Sequence, residues 1–348
     1  MGNALGSYNR AMNFDPDAAA APGSGIFGLP HTREGAAIVL IPVPYDATTS
    51  YGNGTRKGPA AIRDASKQVD LLDLQFGRVY ERGIFIEEID ETLKKSAKEA
   101  RKCAEPIIES GGARAQSEEV RPVDEASERM NAFVYERTKR VLAEGKIPGV
   151  VGGDHSTPFG SIKACAEACS AGMGVLQVDA HMDLRESYEG FRWSHASIMW
   201  NVLKEVPRVT RLVQIGIRDV GAGEIEVMKS SGGRVQTHFD LEWAKRMDSG
   251  EAFAGLCAKA IEALPRDVYV SVDIDGLDPA LCPGTGTPVA GGLSFNQFCM
   301  LVEILARSGR RVVGFDLVEV CPTGRDEWDA NVGARVLYKL CGMALGGR

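Results

Sequence analysis

The chain has 348 residues, with 40 Lys and Arg against 47 Asp and Glu, so its formal net charge at pH 7 is −7. Hydrophobic residues make up 44% and charged residues 25% of the sequence. This composition is typical of a globular protein with a sizeable core, and it excludes a collagen, a disordered chain and a small disulfide scaffold. Phosphate binding needs clustered basic charge, so we expect no nucleic-acid partner.

The cysteines and the apolar runs indicate the cellular compartment of the protein and whether it crosses a membrane. The eight cysteines contain no Cys-x-x-Cys pair, and the first residues do not show a basic-then-apolar signal pattern. We therefore expect reduced thiols and a cytoplasmic protein. No apolar run approaches the roughly 18 residues that a membrane span needs, so we expect no membrane partner.

In chain order, residues 1–35 are rich in Ala, Gly and Pro without a period, which predicts an N-terminal arm. Eight short apolar runs follow, most of them rich in β-branched residues, and each predicts a strand. They are Ala37–Pro42, Gly83–Ile86, Pro148–Val151, Gly174–Val178, Leu212–Ile215, Arg234–Gln236, Val268–Val272 and Val312–Val318. Longer stretches between them predict helices, among them Pro59–Leu72, Glu125–Ala143, Glu251–Ala263 and Phe295–Arg307. The least informative part, Glu91–Asp124, reads as charge-rich helical pieces split by Gly111-Gly112.

The predicted strands are near-continuous apolar runs rather than alternating ones, which suits parallel strands covered on both faces. Strands and helices alternate over most of the chain, and this order is typical of a sheet built from βαβ units. Division of the length by about 150 residues suggests two domains, but the sequence shows no linker. We therefore predict one α/β domain over residues 36–348, a single-domain three-layer α-β-α fold with a mainly parallel sheet of about eight strands.

Acidic and imidazole side chains follow four of these strands at the point where each strand ends. His155, in Gly152-Gly153-Asp154-His155, follows one strand, and Asp179, His181 and Asp183 follow the next in the chain. Two later strands are followed by Asp273-Ile274-Asp275 and by Glu319. Ligand sites in open α/β sheets lie outside the carboxyl ends of the strands, so we expect these groups to converge on one crevice.

The spacing of these groups predicts a metal centre. Alternate residues of an extended chain point the same way, so Asp-x-His-x-Asp and Asp-x-Asp can each face one point. Four carboxylates in one place repel each other and remain ionised only beside compensating cations. Six such ligands are too many for one ion and suit two divalent ions that share bridging carboxylates. Oxygen-rich ligation with some imidazole favours Mn²⁺, with Ni²⁺, Co²⁺ or Fe²⁺ as alternatives, and the lack of a thiol argues against structural zinc.

Each motif also has a purely structural interpretation. A lone Asp-x-Asp after a strand is more often a turn or a helix cap than a ligand pair, and a lone Gly-Gly-Asp-His is similarly weak. Their joint occurrence at predicted strand ends is what favours a metal centre. His31 and His238 lack such a context, so we expect structural roles for them. The stretch Gly284–Thr287 lacks the third glycine of a dinucleotide loop and is interpreted as a loop that shapes the pocket.

In this order and spacing, the three metal motifs resemble the ureohydrolase (arginase/agmatinase) superfamily, and agmatinase-like members in particular. The stretch from Pro44 to Tyr51, Gly54-Thr55-Arg56 and Gly58-Pro59 is similar to the family's N-terminal loop and helix start. Ser271–Pro279 and Gly284–Pro288 are similar to its Ser-x-Asp-x-Asp and Gly-Thr-Gly-Thr-Pro segments. The resemblance extends from about Ala37 to the C-terminus and implies an arginase-like fold.

The resemblance also implies roles for the site residues. Two Mn²⁺ ions would be bound by His155, Asp179, His181, Asp183, Asp273 and Asp275, with Asp179 and Asp273 as bridging ligands. Asp183 would also hold the attacking hydroxide. His195, in Ser194-His195-Ala196-Ser197, matches the family's mobile active-site histidine and would pass a proton to the leaving amine. Glu319 matches the glutamate that pairs with the substrate guanidinium.

The implied reaction converts a small guanidino compound to urea and an amine, with agmatine as the leading substrate. Arg185 stands where true arginases have a short polar residue, which argues against arginine, and Val289-Ala290 departs from many agmatinases. Guanidine, guanidinobutyrate or another guanidino acid, and a formimino compound remain alternatives. A catalytically silent subunit is disfavoured because all six ligands are present. Tyr188, Phe191 and Trp193 suggest that the entry to the pocket is aromatic. We expect residues 321–328 to form a wall of the pocket. The family resemblance implies a homotrimer or a homohexamer.

Overall fold

The computed structural model describes residues 14–323 and 327–346, and these form one sheet with helices on both faces. Every pairing between neighbouring strands is parallel, and the strand order is β2-β1-β3-β8-β7-β4-β5-β6. Each strand matches one predicted apolar run, so the predicted sheet is confirmed. The strands are β1 (Ile38–Val43), β2 (Ile84–Ile86), β3 (Ile147–Gly152), β4 (Met173–Val178), β5 (Val209–Ile217), β6 (Val235–Phe239), β7 (Asp267–Asp273) and β8 (Arg311–Val318).

Ten α-helices lie within the described part of the chain. They are α1 (Gly58–Ala65), α2 (Glu91–Glu109), α3 (Arg121–Ala143), α4 (Phe159–Ala168), α5 (Ile198–Glu205), α6 (Ala222–Ser230), α7 (Asp240–Asp248), α8 (Phe253–Glu262), α9 (Phe295–Arg307) and α10 (Trp328–Gly346). The predicted helix Pro59–Leu72 is too long. It passes into a 3-10 turn at Ser66–Gln68 and ends where Val69 becomes extended. The Ser66 hydroxyl donates to the Arg63 carbonyl and accepts the Phe27 N–H, which ties the turn to the N-terminal segment.

The core lies on both faces of the sheet, which is why the strands are apolar throughout. On one face, side chains of α1, α8, α9 and α10 pack against the strands, for example Ile62, Leu301 and Leu337. On the other face, α2 and α3 supply a second cluster and α4 and α5 a third. Every residue of β1, β3, β4 and β7 is buried. The result is the predicted three-layer α-β-α architecture.

Part of the predicted N-terminal arm belongs to this core. Ile26, Phe27 and Leu29 are buried in the cluster that contains α10. The Phe27 ring meets the Tyr338 ring edge-on, with 4.8 Å between the centroids. Residues 1–13 of the arm lie outside the described residues.

The four strands that precede the acidic motifs are neighbours in the middle of the sheet, in the order β3-β8-β7-β4. Because all four are parallel, their carboxyl ends lie at one edge, and this places the site. All eight cysteines lie in the described residues as free thiols. None of the helices in these residues combines the length and the apolar character that crossing a bilayer requires.

Candidate active site

A cavity of about 470 Å³ opens at the carboxyl ends of the four central strands. Its walls include six of the candidate site residues predicted from the sequence, namely His155, His181, Asp183, His195, Asp273 and Glu319. The loop after β7 also lines it. The strand ends therefore deliver their polar groups to a single crevice, as their positions predict.

Two groups of side chains in this crevice have ligand atoms close enough to hold one metal ion each. The first is His155, Asp179 and Asp273, and the second is Asp179, His181 and Asp275. Asp179 belongs to both groups. Asp273, for which the resemblance implies a bridging role as it does for Asp179, lies in the first group only.

The first group surrounds the Nδ1 atom of His155. This nitrogen lies 2.9 Å from Asp179 Oδ2, 2.9 Å from Asp183 Oδ2 and 3.3 Å from Asp273 Oδ2. On the far side of the ring, Nε2 lies 3.0 Å from the Ser271 hydroxyl, which donates to Asp316 Oδ1 at 3.0 Å. Because that hydroxyl gives its proton to Asp316, it accepts the Nε2–H, and in the neutral imidazole the Nδ1 lone pair faces the carboxylates.

The electrostatics of this group favour a bound cation. Burial opposes the imidazolium, but the carboxylates of Asp179, Asp183 and Asp273 outweigh it and raise the pKa of His155 well above its usual value. Burial, then the charges of Asp275 and Asp179, raise the pKa of Asp273. The Nδ1 atom is buried without a well-formed hydrogen bond to any described residue. A divalent ion at this point satisfies both the lone pair and the carboxylates, so these residues fit a metal.

Local hydrogen bonds orient the side chains of the second group, Asp179, His181 and Asp275. His181 Nδ1 lies 3.1 Å from Asp275 Oδ2 and 3.6 Å from Asp179 Oδ1. Asp179 accepts the backbone N–H of His181 at 2.6 Å and the Gln177 amide at 2.8 Å. Asp275 accepts the Ala180 N–H at 3.0 Å and the Thr287 hydroxyl at 3.3 Å. The carboxylates are thus held in place by the two strand ends themselves, as metal ligands usually are.

Asp183 turns into the cavity through an uncommon backbone conformation, with φ 55°. Its carbonyl oxygen accepts the N–H groups of Met199 and Trp200, both at 3.1 Å, at the start of α5. Burial, and then the charge of Asp179, raise the pKa of its carboxyl to about 7. Its carboxylate faces His155.

Glu319 stands at the end of β8 with φ 61°. Its Oε1 accepts the backbone N–H of His155 at 2.9 Å. Its Oε2 is buried and finds no hydrogen-bond partner among the described residues. Burial first, and then the charges of Asp273 and Asp154, raise the pKa of this carboxyl well above its usual range. A buried carboxylate oxygen without a partner at a cavity wall is suited to a cationic ligand that donates hydrogen bonds.

His195 lines the same cavity and is held by Thr48. Its backbone N–H donates to the Thr48 hydroxyl at 3.2 Å, and its Nδ1 lies 3.4 Å from that oxygen and 3.3 Å from Ser194 Oγ. Burial, together with the charges of His181 and His155, lowers the pKa of His195 to about 3. The imidazole is therefore neutral at pH 7 and has a nitrogen free to exchange protons.

The mouth of the cavity is less aromatic than the sequence predicts. Of the three aromatic residues, Tyr188 lines it and meets the His195 ring at 5.9 Å. Phe191 is buried in the core beside α2 and α3, and Trp193 packs edge-on against Phe159 at 4.8 Å. Arg185 lies over the Tyr188 ring at 5.1 Å, with its Nη2 atom 3.7 Å from Glu224 Oε2.

Of the two loops noted in the sequence, one lines the cavity. Thr287, Pro288 and Val289 line the cavity, which confirms that this loop shapes the pocket. In the predicted wall at 321–328, Cys321 is buried and its thiol lies 3.5 Å from the Asn53 carbonyl. Residues 324–326 of that stretch lie outside the described residues.

Sequence reasoning missed three residues that support the site. Thr48 holds His195, and Ser271 and Asp316 fix the His155 ring. Thr48 and Ser271 lie within stretches that carry the family resemblance, so the motifs could have pointed to them. Asp316 sits inside a buried strand, and its acidic character among apolar residues was the available signal. His238 packs at 5.3 Å from the Trp243 ring, away from the cavity.

Comparisons with known proteins agree with this geometry. The sequence model of the arginase family matches residues 36–342. The chain is 32% identical to the N(1)-aminopropylagmatine ureohydrolase of Thermus thermophilus over 322 residues, which cover 91% of this chain and 94% of that one. It is also 32% identical to the agmatinase of Bacillus anthracis over 293 residues, 83% of this chain and 85% of that one.

Among solved structures, the proclavaminate amidino hydrolase of Streptomyces clavuligerus aligns with a TM-score of 0.71 at 23% identity, over 95% of this chain and 100% of that one. At this identity the likeness establishes the fold. The family match, in contrast, runs through every strand and every acidic motif of the cavity. We conclude that the chain belongs to the arginase family and is a hydrolase.

Proposed function

We propose that the chain hydrolyses the guanidino group of a small guanidino compound to urea and an amine, with two divalent cations at its centre. The observation that carries this proposal is the position of Glu319 Oε2. This oxygen has no hydrogen-bond partner among the described residues, and Glu319 lines the same cavity as His155 and His181, which belong to the two potential metal groups that share Asp179. A guanidinium beside Glu319 therefore lies next to the metal centre.

The metal ligands are His155, Asp179, His181, Asp183, Asp273 and Asp275. Their oxygen-rich character favours Mn²⁺, with Ni²⁺ or Co²⁺ as alternatives. When bound by these residues, two divalent cations would lower the pKa of water and so supply a hydroxide nucleophile at neutral pH. The protein must then place the substrate, orient the nucleophile and protonate the leaving group.

Glu319 places the substrate. Its Oε1 is occupied by the His155 N–H, so Oε2 is the atom that accepts N–H groups of the guanidinium. A charge-assisted hydrogen bond in a dry pocket is stronger than one in water. It fixes the planar group for attack on its carbon, and orientation of this kind supplies much of the acceleration when the electrophile is poor.

Asp183 orients the nucleophile and His195 transfers a proton to the leaving amine. The Asp183 carboxylate faces the first metal group and accepts a hydrogen bond from the nucleophile, which keeps the attacking lone pair directed at the substrate carbon. The C–N bond to the amine then breaks, the hydroxyl group that attacked gives up its proton as it becomes the urea carbonyl, and the amine takes up that proton. His195 is neutral and held at the cavity wall by Thr48, so it can relay that proton to the amine nitrogen.

Agmatine is the leading substrate, with putrescine and urea as products. The relatives that are 32% identical to this chain carry the names agmatinase and N(1)-aminopropylagmatine ureohydrolase, which supports a linear guanidino amine. Guanidine, guanidinobutyrate and formimino compounds are the competing substrates. Arg185 occupies the mouth with a bulky cation, so we expect arginine to be a poor substrate.

We also propose a cytoplasmic homotrimer or homohexamer. The free thiols of all eight cysteines suit a reducing compartment. Light scattering coupled to gel filtration tests the assembly, and a monomer would contradict it.

The decisive experiment is turnover of a substrate panel by protein loaded with Mn²⁺ or Ni²⁺. We expect urea from agmatine, and little from arginine. Asp179→Asn serves as a matched negative control, because it removes the shared carboxylate at almost unchanged volume. Protein that holds two metals and releases neither urea nor ammonia from any member of the panel would refute the proposal.

A further inference from the structure

The loop that carries His195 rests on a part of the chain that has no place in the chemistry described above. Residues 184–194 connect the last metal ligand of β4 to His195. Within this loop, Tyr188 and Phe191 exchange two backbone hydrogen bonds, at 3.1 and 2.9 Å, around a turn. The two turn residues, Glu189 and Gly190, both have positive φ, 52° and 95°. This turn sits against the segment between α2 and α3.

The contact between turn and segment is made by backbone. The Ala113 N–H donates to the Glu189 carbonyl at 3.1 Å. A Cβ atom on Gly112 would lie 2.9 Å from Glu189 Cα, and one on Gly190 would lie 2.7 Å from the Ala113 carbonyl oxygen. Glycine on each side is thus what lets the two chains approach so closely. Gly112, which the sequence presents only as part of a Gly-Gly break between helical pieces, forms this docking point together with Ala113.

The first turn of α3 holds the loop closer to His195. Asp124 Oδ1 accepts the backbone N–H of Arg192 at 3.0 Å and that of Trp193 at 3.4 Å. One turn further along α3, Glu128 Oε1 accepts the Trp193 indole N–H at 3.2 Å. Burial raises the pKa of the Asp124 carboxyl to about 6, so it is ionised at pH 8 and available as an acceptor. The last of these bonds lies only two residues before His195.

The neighbouring helix α2 supports the other side of His195. Arg101 Nη1 donates to the Thr49 carbonyl at 2.6 Å and lies 3.4 Å from the Ala47 carbonyl. Between these residues is Thr48, whose hydroxyl accepts the His195 N–H. Both attachments of His195 therefore lead back to the α2–α3 pair, which itself packs on the sheet through its own apolar cluster.

We propose that the α2–α3 pair is a frame that fixes the position of His195, with Asp124 as its positioning residue on the loop side. Asp124 touches neither the metal groups nor the cavity, so it acts on the reaction through His195. This inference rests on the proposed function for its kinetic consequence only. The placement of the loop does not depend on it.

The test compares Asp124→Ala, which removes the acceptor, with Asp124→Asn, which keeps an acceptor oxygen. Glu125→Ala is the matched control, since Glu125 is exposed on the same helix turn and its one ion pair within the described residues is with Arg121, at 3.9 Å. All variants are loaded with Mn²⁺ and assayed at pH 8 with agmatine. We expect Asp124→Ala to lower kcat about tenfold with KM nearly unchanged, because small displacements of catalytic groups cost up to about 100-fold. We expect the kcat of Asp124→Asn and of Glu125→Ala to stay within about twofold of the wild-type value. The first variant keeps the hydrogen-bond acceptor, and the second changes an exposed side chain, where effects are usually small.

Two further measurements separate positioning from a general structural role. Metal content and melting temperature of Asp124→Ala should match those of Glu125→Ala. Hydrogen exchange of the amides in residues 188–197 should be faster in Asp124→Ala alone. The exchange measurement is informative even if the wild-type protein hydrolyses no guanidino compound, an outcome that would refute the proposed function and leave this inference to be decided by exchange.

The inference is overturned if Asp124→Ala matches Glu125→Ala in kcat and in exchange. It is also overturned if Asp124→Ala and Asp124→Asn lose activity together with metal, because the carboxylate would then support the centre rather than the histidine loop.

Discussion

Replacement of Glu319 by glutamine tests the substrate site most directly, because it changes one atom of a buried side chain. The glutamine oxygen can still accept the His155 N–H, which Glu319 Oε1 now accepts at 2.9 Å. The new amide nitrogen would take the place of Oε2, the atom without a partner. A hydrogen-bond donor would then face the donors of a guanidinium.

The expected loss follows from the burial of this contact. Removal of one partner of a buried, hydrogen-bonded charge pair costs about 3–5 kcal/mol. At about 1.4 kcal/mol for each factor of ten, kcat/KM should fall by about 10²- to 10⁴-fold. Metal content should stay at the wild-type level, because Glu319 belongs to neither metal group.

Stability should change in the opposite direction. Burial raises the pKa of Glu319 in the folded protein, so the folded state holds its proton more tightly than the unfolded state does. The ionised carboxylate therefore destabilises the fold at pH values above its unfolded pKa, and acidification removes that penalty. Metal-free Glu319→Gln should melt at a higher temperature than metal-free wild type at pH 8, and the difference should vanish near pH 4, the unperturbed pKa of about 4.3.

Glu87→Gln is the matched control, since Glu87 is also a buried glutamate but pairs with Arg33 and Arg137, and none of the three lines the cavity. It should lower the melting temperature and leave turnover unchanged. Urea release, metal analysis by mass spectrometry and thermal melts check all three expectations. If Glu319→Gln keeps its kcat/KM, or if it loses metal, the assignment of Glu319 to the guanidinium is wrong.

Three further outcomes follow from the site. His195→Asn should lower kcat about 10²-fold, the usual size of a lost proton-transfer group, at unchanged metal content. Asp179→Asn should lose both metals and Asp275→Asn about one, because only Asp179 belongs to both groups, and equal losses would refute the sharing. Removal of metal should lower the melting temperature more at pH 8 than at pH 6, since protons compete with cations for the carboxylates. Melts that do not respond to added metal would contradict a metal centre.

The sheet was predictable from sequence because its determinants are local. A strand covered on both faces must be apolar at successive positions, so β4 and β7 stand out as short runs such as Val175–Val178 and Val268–Val272. The candidate ligands were predictable for a related reason. Parallel strands end at one edge, so residues that follow different strands directly, such as His155 and Asp273, lie at that edge, and the strand order β3-β8-β7-β4 brings them together.

The supports of the site were not predictable, because they depend on contacts between distant parts of the chain. Arg218 is an example. Its guanidinium donates to the backbone carbonyls of Gly216 at 3.0 Å, Asp275 at 2.6 Å and Val289 at 2.8 Å, and so ties β5, a metal-ligand turn and the pocket loop together. A carbonyl is present at every residue, so no sequence pattern marks these partners. The hydrogen bonds of Asp124 to backbone N–H groups could not be predicted from the sequence for the same reason.

The backbone at Asp183 and Glu319 shows how the fold directs two of these side chains. Both are non-glycine residues with positive φ, a conformation that costs about 1–3 kcal/mol and persists only where the surroundings enforce it. The carbonyl of Asp183 is held by two N–H groups of α5, and the N–H of Glu319 donates to the Gly153 carbonyl at 2.8 Å. A residue continuing in extended conformation would alternate across the sheet. The left-handed turn instead sends each carboxylate into the cavity, so the packing of the parallel sheet fixes the direction of the two carboxylates that we propose face nucleophile and substrate.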